Sequence, residues 1–491
     1  MAGHARRTPG SQESAGRRRR GPKRHTGRWV ALGVSVLILG TAAVGGWLYT
    51  HLNGNIKGAD VGESLGDNRP KAAAGGQNIL VIGSDSRKGL GDAYGKNLTT
   101  MQSDTLMLLH ISGDGKWATA VSFPRDSWVR IPACDSGNGT QSSAHHFKIN
   151  EAFAIGGSTG DTAKATACAI KTIEANTQVR IDHFLIVDFR GFTGMVNALG
   201  GVEVCPEQAI HDKKAHLDLE AGCQIVKDKK ALGYVRARYS IGDGTDIGRI
   251  GRQQEFMQSL VTRAKSKLYN PTALYGFLNS ATKSLTTDPE LADLEQLYSL
   301  ASSVKGIATD RISFLTVPNY PRERDVPTDK ANVTWQEPAA RQLFTAINRD
   351  REMTKADLKK ATAHLPAPAN TVQITVLNGT GTKGEALKVA EQLRAMGFEI
   401  TATGNAPAPV TTSTLTYPQG QSDQAQALAG RLPGLTPTLS AQAAPGTITL
   451  TIGPDLPDPA TLMSLPQFTA ELTEPPTTYT GFPPPARRGG K

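Results

Sequence analysis

The sequence predicts an α/β (α+β) sandwich with a covered central sheet, followed by a smaller βαββαβ ferredoxin-like domain. Three observations predict it. Apolar runs of strand length stand at Ile79–Ile82, Thr105–Ile111, Ala118–Phe123 and Phe184–Phe189, nearly continuous in hydrophobicity, as strands covered on both faces are. Stretches with helical patterning, Ala163–Asn176, Phe192–Leu199 and Arg252–Leu268, alternate with them or follow them. Past Pro366-Ala-Pro-Ala a second block repeats strand, helix, strand twice: Val372–Leu377, Gly384–Met396, Phe398–Ala402, then Thr414–Tyr417, Ser422–Leu432, Thr447–Ile452.

Charge places this body outside a membrane. The chain carries a net charge of +10, yet residues 1–28 alone hold eight arginines and Lys23 against Glu13, so the remainder is nearly neutral. The basicity therefore belongs to a tail, and attraction to anionic lipid explains it more simply than nucleic acid does. From Trp29 to Thr50 no residue is charged, and Trp29, Trp47 and Tyr49 stand where interfacial aromatics belong. Residues 29–50 are expected to be a single-pass anchor, with the N-terminus cytoplasmic and the body extracytoplasmic. A cleaved signal peptide is the rival reading, because Thr41-Ala-Ala-Val-Gly-Gly is rich in small residues.

The expected organisation is a basic cytoplasmic tail (1–28), an anchor (29–50), a polar stalk (51–77), a folded domain (78–350) and a linker (351–370). A small domain (371–453) and a disordered proline-rich tail (454–491) complete it. All four cysteines, Cys134, Cys168, Cys205 and Cys223, fall in the exported part, with no Cys-x-x-Cys spacing to suggest zinc. Cys205–Cys223 is expected because it closes a polar excursion from Pro206 to Gly222, and Cys134–Cys168 follows by exclusion.

The chemistry concentrates between Arg236 and Gln254, where four arginines (Arg236, Arg238, Arg249, Arg252) and two glutamines (Gln253, Gln254) crowd together. Like charges repel and ordered arginines lose rotamer entropy, so such a cluster makes sense around a strong anion. On a strand Arg236 and Arg238 would share a face; on a helix Arg249, Arg252 and Gln253 would share a side. Fork-shaped donors from two elements suit phosphate oxygens. A solvated charged surface is the alternative.

Two carboxylates add a cation site. Ile79–Ile82 runs into Gly83-Ser84-Asp85-Ser86-Arg87, and Ser103-Asp104 precedes the next strong strand. If those strands are neighbours, Asp85 and Asp104 could share a hard cation such as magnesium, with phosphate and water completing its shell. Arg125, just past Pro124, could close the arginine cluster or pair with Asp126. No phosphate-cradling Gly-x-x-x-x-Gly-Lys loop and no dinucleotide fingerprint is present, so a nucleotide is not indicated. Ser84 and Ser86 have no nucleophile-elbow context, and His145 and His146 read as loop residues.

These segments resemble the LytR-CpsA-Psr family of cell-envelope phosphotransferases. The resemblance rests on Asn78–Arg87, Ser103-Asp104-Thr105, Ser122-Phe-Pro-Arg-Asp126, Lys148-Ile-Asn150 with Gly156-Gly157, Asp182-His183, Asp188-Phe189, Gly200–Val204 and Tyr234–Gln254, in that order, over 78–267. Residues 371–453, with Val376-Leu-Asn-Gly379, look like the accessory C-terminal domain of actinobacterial members. The resemblance implies transfer of a glycopolymer from a polyprenyl-pyrophosphate carrier to peptidoglycan, assisted by magnesium or manganese. It implies Asp85 and Asp104 as metal ligands, Asp85, Arg125 and Arg238 as catalytic residues, and Arg87, Arg125, Arg236, Arg238, Arg249 and Gln253 as the pyrophosphate site. The family often has arginine where this chain has Gln102, which leaves Arg87 to compensate. Asp85, Asp126 and Asp246 stand as candidates for the general base. A hydrolase using water at the same site, and a non-catalytic envelope-binding or regulatory protein, are the competing readings.

Overall fold

The computed structural model describes residue 39 and residues 42–72, 75–84, 103–137, 139–237, 246–432 and 434–456. Two compact units divide the chain, Met1–His51 and Leu52–Lys491. In the first, residues 42–51 are helical, while the expected tail and most of the expected span lie outside the described residues. Among the described residues no helix is long and apolar enough to cross a membrane.

The second unit opens with β1 (Lys57–Gly58) and a short helix, α1 (Gly62–Leu65). Then come β2 (Gln77–Ser84), β3 (Ser103–Ile111), β4 (Ala118–Phe123), β5 (Trp128–Ile131) and β6 (His145–Lys148). Helices α2 (Glu151–Gly156) and α3 (Thr162–Thr177) lead to β7 (His183–Asp188) and α4 (Phe189–Ala198). Four short strands, β8 (Val202–Val204), β9 (Ile210–Asp212), β10 (Leu217–Leu219) and β11 (Gln224–Val226), precede α5 (Asp228–Arg236) and α6 (Asp246–Lys267). The domain closes with α7 (Pro271–Ser284), β12 (Leu285–Thr287), α8 (Leu294–Gly306), β13 (Ile312–Thr316), β14 (Asn319–Pro321), β15 (Val333–Trp335), α9 (Ala339–Asn348) and α10 (Lys355–Ala361).

Seven strands form the central sheet in the order β1-β12-β7-β2-β3-β4-β13. It is mixed: β7 runs parallel to β2 and β4 to β13, while β3 is antiparallel to both β2 and β4. Successive side chains of β2 point to opposite faces, which is why the run is apolar throughout. Leu80 and Ile82 join Leu108, Val121 and Phe184 beneath Ile170 and Ile173 of α3 and Leu343 and Phe344 of α9. Ile79 joins Met107, Ala120 and Phe314 beneath Met257 and Val261 of α6 and Leu300 of α8. The expected sandwich with a covered sheet is present. A third apolar cluster, built from Val202, Leu217, Tyr234 and Phe256, roots β8–β11 on α5 and α6.

Several boundaries move. Residues 51–77 are not a stalk: β1 pairs with β12, and Val61 and Leu65 are buried in the main core. The expected linker carries α10, closed by a Thr354–Asp357 capping box, with Met353 and Leu358 packed on the core. The two expected disulfides, Cys134–Cys168 and Cys205–Cys223, are both formed.

The C-terminal domain follows as β16 (Gln373–Asn378), α11 (Glu385–Ala395), β17 (Glu399–Asn405), β18 (Thr414–Tyr417), α12 (Ser422–Arg431), β19 (Pro437–Leu439) and β20 (Ile448–Ile452). The expected elements occur in the expected order, with β19 added. Their pairing differs from the ferredoxin-like form: the sheet order is β17-β16-β20-β18-β19. Each strand–helix–strand unit pairs its own two strands in parallel, and β20 is inserted between the two units instead of splitting either. Leu456 belongs to this core; from residue 457 the proline-rich tail lies outside the described residues.

Candidate active site

One end of the central sheet collects the predicted chemistry. β2 and β7 both finish there, with Ser84 paired to Asp188, and β3 starts there, with Ser103 paired to Ser84. β4 and β13 finish at the same end, where Ser122 pairs with Thr316. The two acidic positions therefore come from adjacent strands, as their sharing of a cation requires. Asp85 directly follows Ser84, and Asp104 is the second residue of β3. Asp85 and Arg87 lie outside the described residues, as does the side chain of Asp104. Ser103 is fully buried, and its hydroxyl has no hydrogen-bond partner among the described residues.

Arg125 sits in the turn between β4 and β5, its side chain 27% exposed and its Nε 3.5 Å from Asp126. Lys148 of β6 also holds Asp126, donating from Nζ at 2.8 Å. Lys148 belongs to a segment the sequence singled out without giving it a role; the structure supplies one. Asp126 is thus engaged by two cations, while the side chain of Asp246, another candidate base, lies outside the described residues.

Arg236 is not on a strand. It ends α5, and its guanidinium lies 4.9 Å from the centre of the Phe189 ring, a cation–π contact. Phe189 directly follows Asp188, so this contact brings Arg236 to the sheet end where β2 finishes at Ser84. Asp188 accepts a hydrogen bond from Gly191 N at 2.7 Å and so starts α4, earlier than Phe192 where the sequence places it. Arg238 lies outside the described residues.

Helix α6 carries Arg249, Arg252 and Gln253, as the spacing predicts, and begins at Asp246, ahead of Arg252. Arg249 is buried in its first turn. The next residues act as straps. Arg252 donates to the Ala237 carbonyl at 2.5 Å, and the Gln253 amide donates to the Val235 carbonyl at 2.9 Å. Gln254 donates to the Leu315 carbonyl at 2.8 Å and to Thr316 Oγ1 at 2.9 Å, tying α6 to the end of β13. Gln253, expected in the pyrophosphate site, thus has its amide nitrogen engaged with the backbone that carries Arg236.

Burial pushes the Tyr234 hydroxyl up, with Glu255 adding to it, so it stays protonated. His146, read from sequence as a loop residue, lies on β6, and burial beside Arg130 and Arg322 pushes it down to about 3. A cavity of about 740 Å³ opens at the opposite end of the sheet, lined by Gln77, Ile111, His183 and Glu290. His183, Asp288 and Glu290 stand together there, but Asp288 already serves His183 and the backbone N–H groups of Phe184 and Leu291.

Comparison with known proteins places this arrangement. Residues 48–351 match the model of the LytR_cpsA_psr family, and residues 371–456 match that of the LytR cell envelope-related transcriptional attenuator. A cell wall biosynthesis protein, LcpA of Corynebacterium glutamicum, is 30% identical over 77% of this chain and 76% of its own length. A probable cell wall biosynthesis protein, LcpB of the same organism, is 34% identical over 56% of this chain. That match spans 62% of LcpB, less than two thirds of it. The polyisoprenyl-teichoic acid–peptidoglycan teichoic acid transferase TagT of Bacillus subtilis is 26% identical over 60% of this chain and 88% of its own length.

Proposed function

This chain belongs to the LytR-CpsA-Psr family, and on that premise we propose that it is a phosphotransferase that moves a glycopolymer from a polyprenyl-pyrophosphate carrier to peptidoglycan. The observation that carries the reading is that Arg125, just past β4, and Arg236, against Phe189 just past β7, stand at the sheet end where β2 finishes at Ser84 and β3 begins with Ser103 and Asp104. In this reading the protein is held at the membrane by residues 29–50, next to its lipid-linked donor.

The step is a displacement at phosphorus. A peptidoglycan hydroxyl attacks the phosphorus that bears the sugar, the bond to the bridging oxygen breaks, and polyprenyl monophosphate leaves with that oxygen. The hydroxyl proton passes to a carboxylate, for which Asp85, Asp126 and Asp246 are the candidates; Asp126 is also held by Lys148 and Arg125. Arg125, Arg236, Arg238 and Arg249 hold the pyrophosphate oxygens and meet the charge that grows on them as the bridge breaks. Arg87, three residues past the end of β2 in sequence, supports the same oxygens, and Gln253 positions the Arg236 backbone. Asp85 and Asp104 would hold magnesium, or manganese in its place, which when bound supplies further charge to the phosphate oxygens.

Binding of polyprenyl pyrophosphate to the full chain in detergent micelles tests the reading. Arg236→Ala should weaken it about tenfold or more, the worth of a charge-assisted bond. Binding that is absent from the native chain, or equal in the variant, would count against it.

A further inference from the structure

The C-terminal domain and the Arg125 turn are fastened to the same hairpin. On the side of the turn, Val333 of β15 donates from its backbone N–H to the Asp126 carbonyl at 3.0 Å and forms a bridge with Ser127. Trp335 Nε1 donates to Ser127 Oγ at 3.0 Å, and Lys148, while holding Asp126, also reaches the Ala331 carbonyl at 3.3 Å. On the side of the C-terminal domain, Asp325 is buried and accepts from Tyr320 OH at 2.7 Å, from Arg431 of α12 at 3.1 Å and from Ala369 N at 3.0 Å. Arg324 donates to the Pro366 carbonyl.

A second line joins the two directly. Arg322, 6% exposed, stacks its guanidinium 4.6 Å from the Trp128 ring and donates to the Ala395 carbonyl at the end of α11 at 3.4 Å. Trp128 packs against Ala395 and stands three residues after Arg125. Gly397, at φ +96°, lets the chain approach so closely that a Cβ there would lie 2.5 Å from the Asp325 carbonyl oxygen.

We infer that the C-terminal domain is a positioning element for Arg125, acting through the 319–335 hairpin and the Arg322–Trp128 stack. The inference rests on the transferase reading, in which Arg125 meets charge on the reacting phosphate. An exposed turn between two strands holds an arginine in one place only as firmly as its backbone is held, and small misplacements are expensive in rate. Here the turn's outer side is braced by β15, and β15 belongs to the hairpin that Arg431 and Ala369 grip. Asp325 is the pivot, and Arg431 is the positioning residue most remote from the chemistry.

The test uses the full chain in detergent, with Arg431→Met, Arg431→Lys and, approached from the other side of the junction, Asp325→Asn. Amide exchange of the segment 124–131 reports the turn without reference to activity. Faster exchange there is expected in Arg431→Met and Asp325→Asn, with Arg431→Lys closer to the native chain. In the transfer reaction kcat should fall roughly tenfold with KM nearly unchanged, because the donor still binds while the charge-stabilising group is loose. Unchanged exchange in 124–131 alongside a loosened C-terminal domain would overturn the coupling, as would a KM effect without a kcat effect. If the native chain shows no transfer at all, the function proposed above fails, and the exchange experiment still decides the coupling.

Discussion

Arg252 Nη2 lies 2.5 Å from the carbonyl oxygen of Ala237, so an arginine that spacing groups with the anion clamp instead holds the backbone between Arg236 and Arg238. Ala237 is fully buried, and its carbonyl would lose this donor in Arg252→Met. That change should cost about 1–3 kcal/mol in denaturant unfolding, the penalty of a buried acceptor left unpaired. Pyrophosphate affinity should fall less in Arg252→Met than in Arg236→Ala, because the first change loosens the site and the second removes a ligand-binding group.

Asp104 is the second residue of β3, the strand paired to β2, which ends at Ser84 just before Asp85 in sequence. In the proposed cation site, Asp104→Asn removes one of two carboxylates. Turnover should drop roughly 100-fold at fixed magnesium, comparable to loss of one charge-stabilising group. The magnesium concentration for half-maximal rate should also rise. An unchanged metal titration would remove Asp104 from the cation site.

The pair at the opposite end of the sheet sets a pH dependence. The hydrogen bond from His183 to Asp288, 3.2 Å apart, raises the histidine against the opposing effect of burial. Burial pushes Asp288 up, but His183 and the backbone N–H groups of Leu291 and Phe184 outweigh it and hold the carboxyl low. A raised histidine binds its proton more tightly when folded, so its stabilisation is complete below the ordinary value of 6.5 and is lost as pH rises through the folded value. The Asp288 contribution is present above 3.8 and is lost as pH falls. Melting of His183→Gln against the native chain should therefore show its largest gap near pH 5–6, roughly, and a smaller one near pH 9.

The Cys134–Cys168 disulfide spans 34 residues and is buried beside Ile131 and Ala152. Replacing both cysteines by serine should cost about 3–4 kcal/mol through the freed unfolded chain. Equal stability in oxidised and reduced native protein would contradict this.

The central strands were legible because a strand covered on both faces must be apolar throughout, and Leu80 through Ile82 obeys that rule. The neighbourly relation of the Asp85 and Asp104 strands followed once they proved to pair. Arg236 misled because Tyr234 to Arg238 alternates as a strand does, whereas the turn of α5 onto Phe189 is set by packing with α4. The start of α6 was hidden by Gly248 and Gly251, which weaken a helical pattern that tertiary bonds to Val235 and Ala237 restore. Residues 51–77 read as a stalk because β1 is only two residues long and its partner, β12, lies more than 200 residues away. Nothing local could disclose the Asp325–Arg431 junction, whose partners are 106 residues apart.

Transfer by the purified full chain decides between transferase and hydrolase. The chain is incubated with a polyprenyl-pyrophosphate-linked glycopolymer, peptidoglycan and magnesium, and the products are separated by mass. The account predicts polymer joined to peptidoglycan through a phosphodiester, with one polyprenyl monophosphate released per link, and loss of both products in Arg236→Ala. Free glycopolymer phosphate with no coupled product would instead make the protein a hydrolase, and no donor consumption would contradict catalysis altogether.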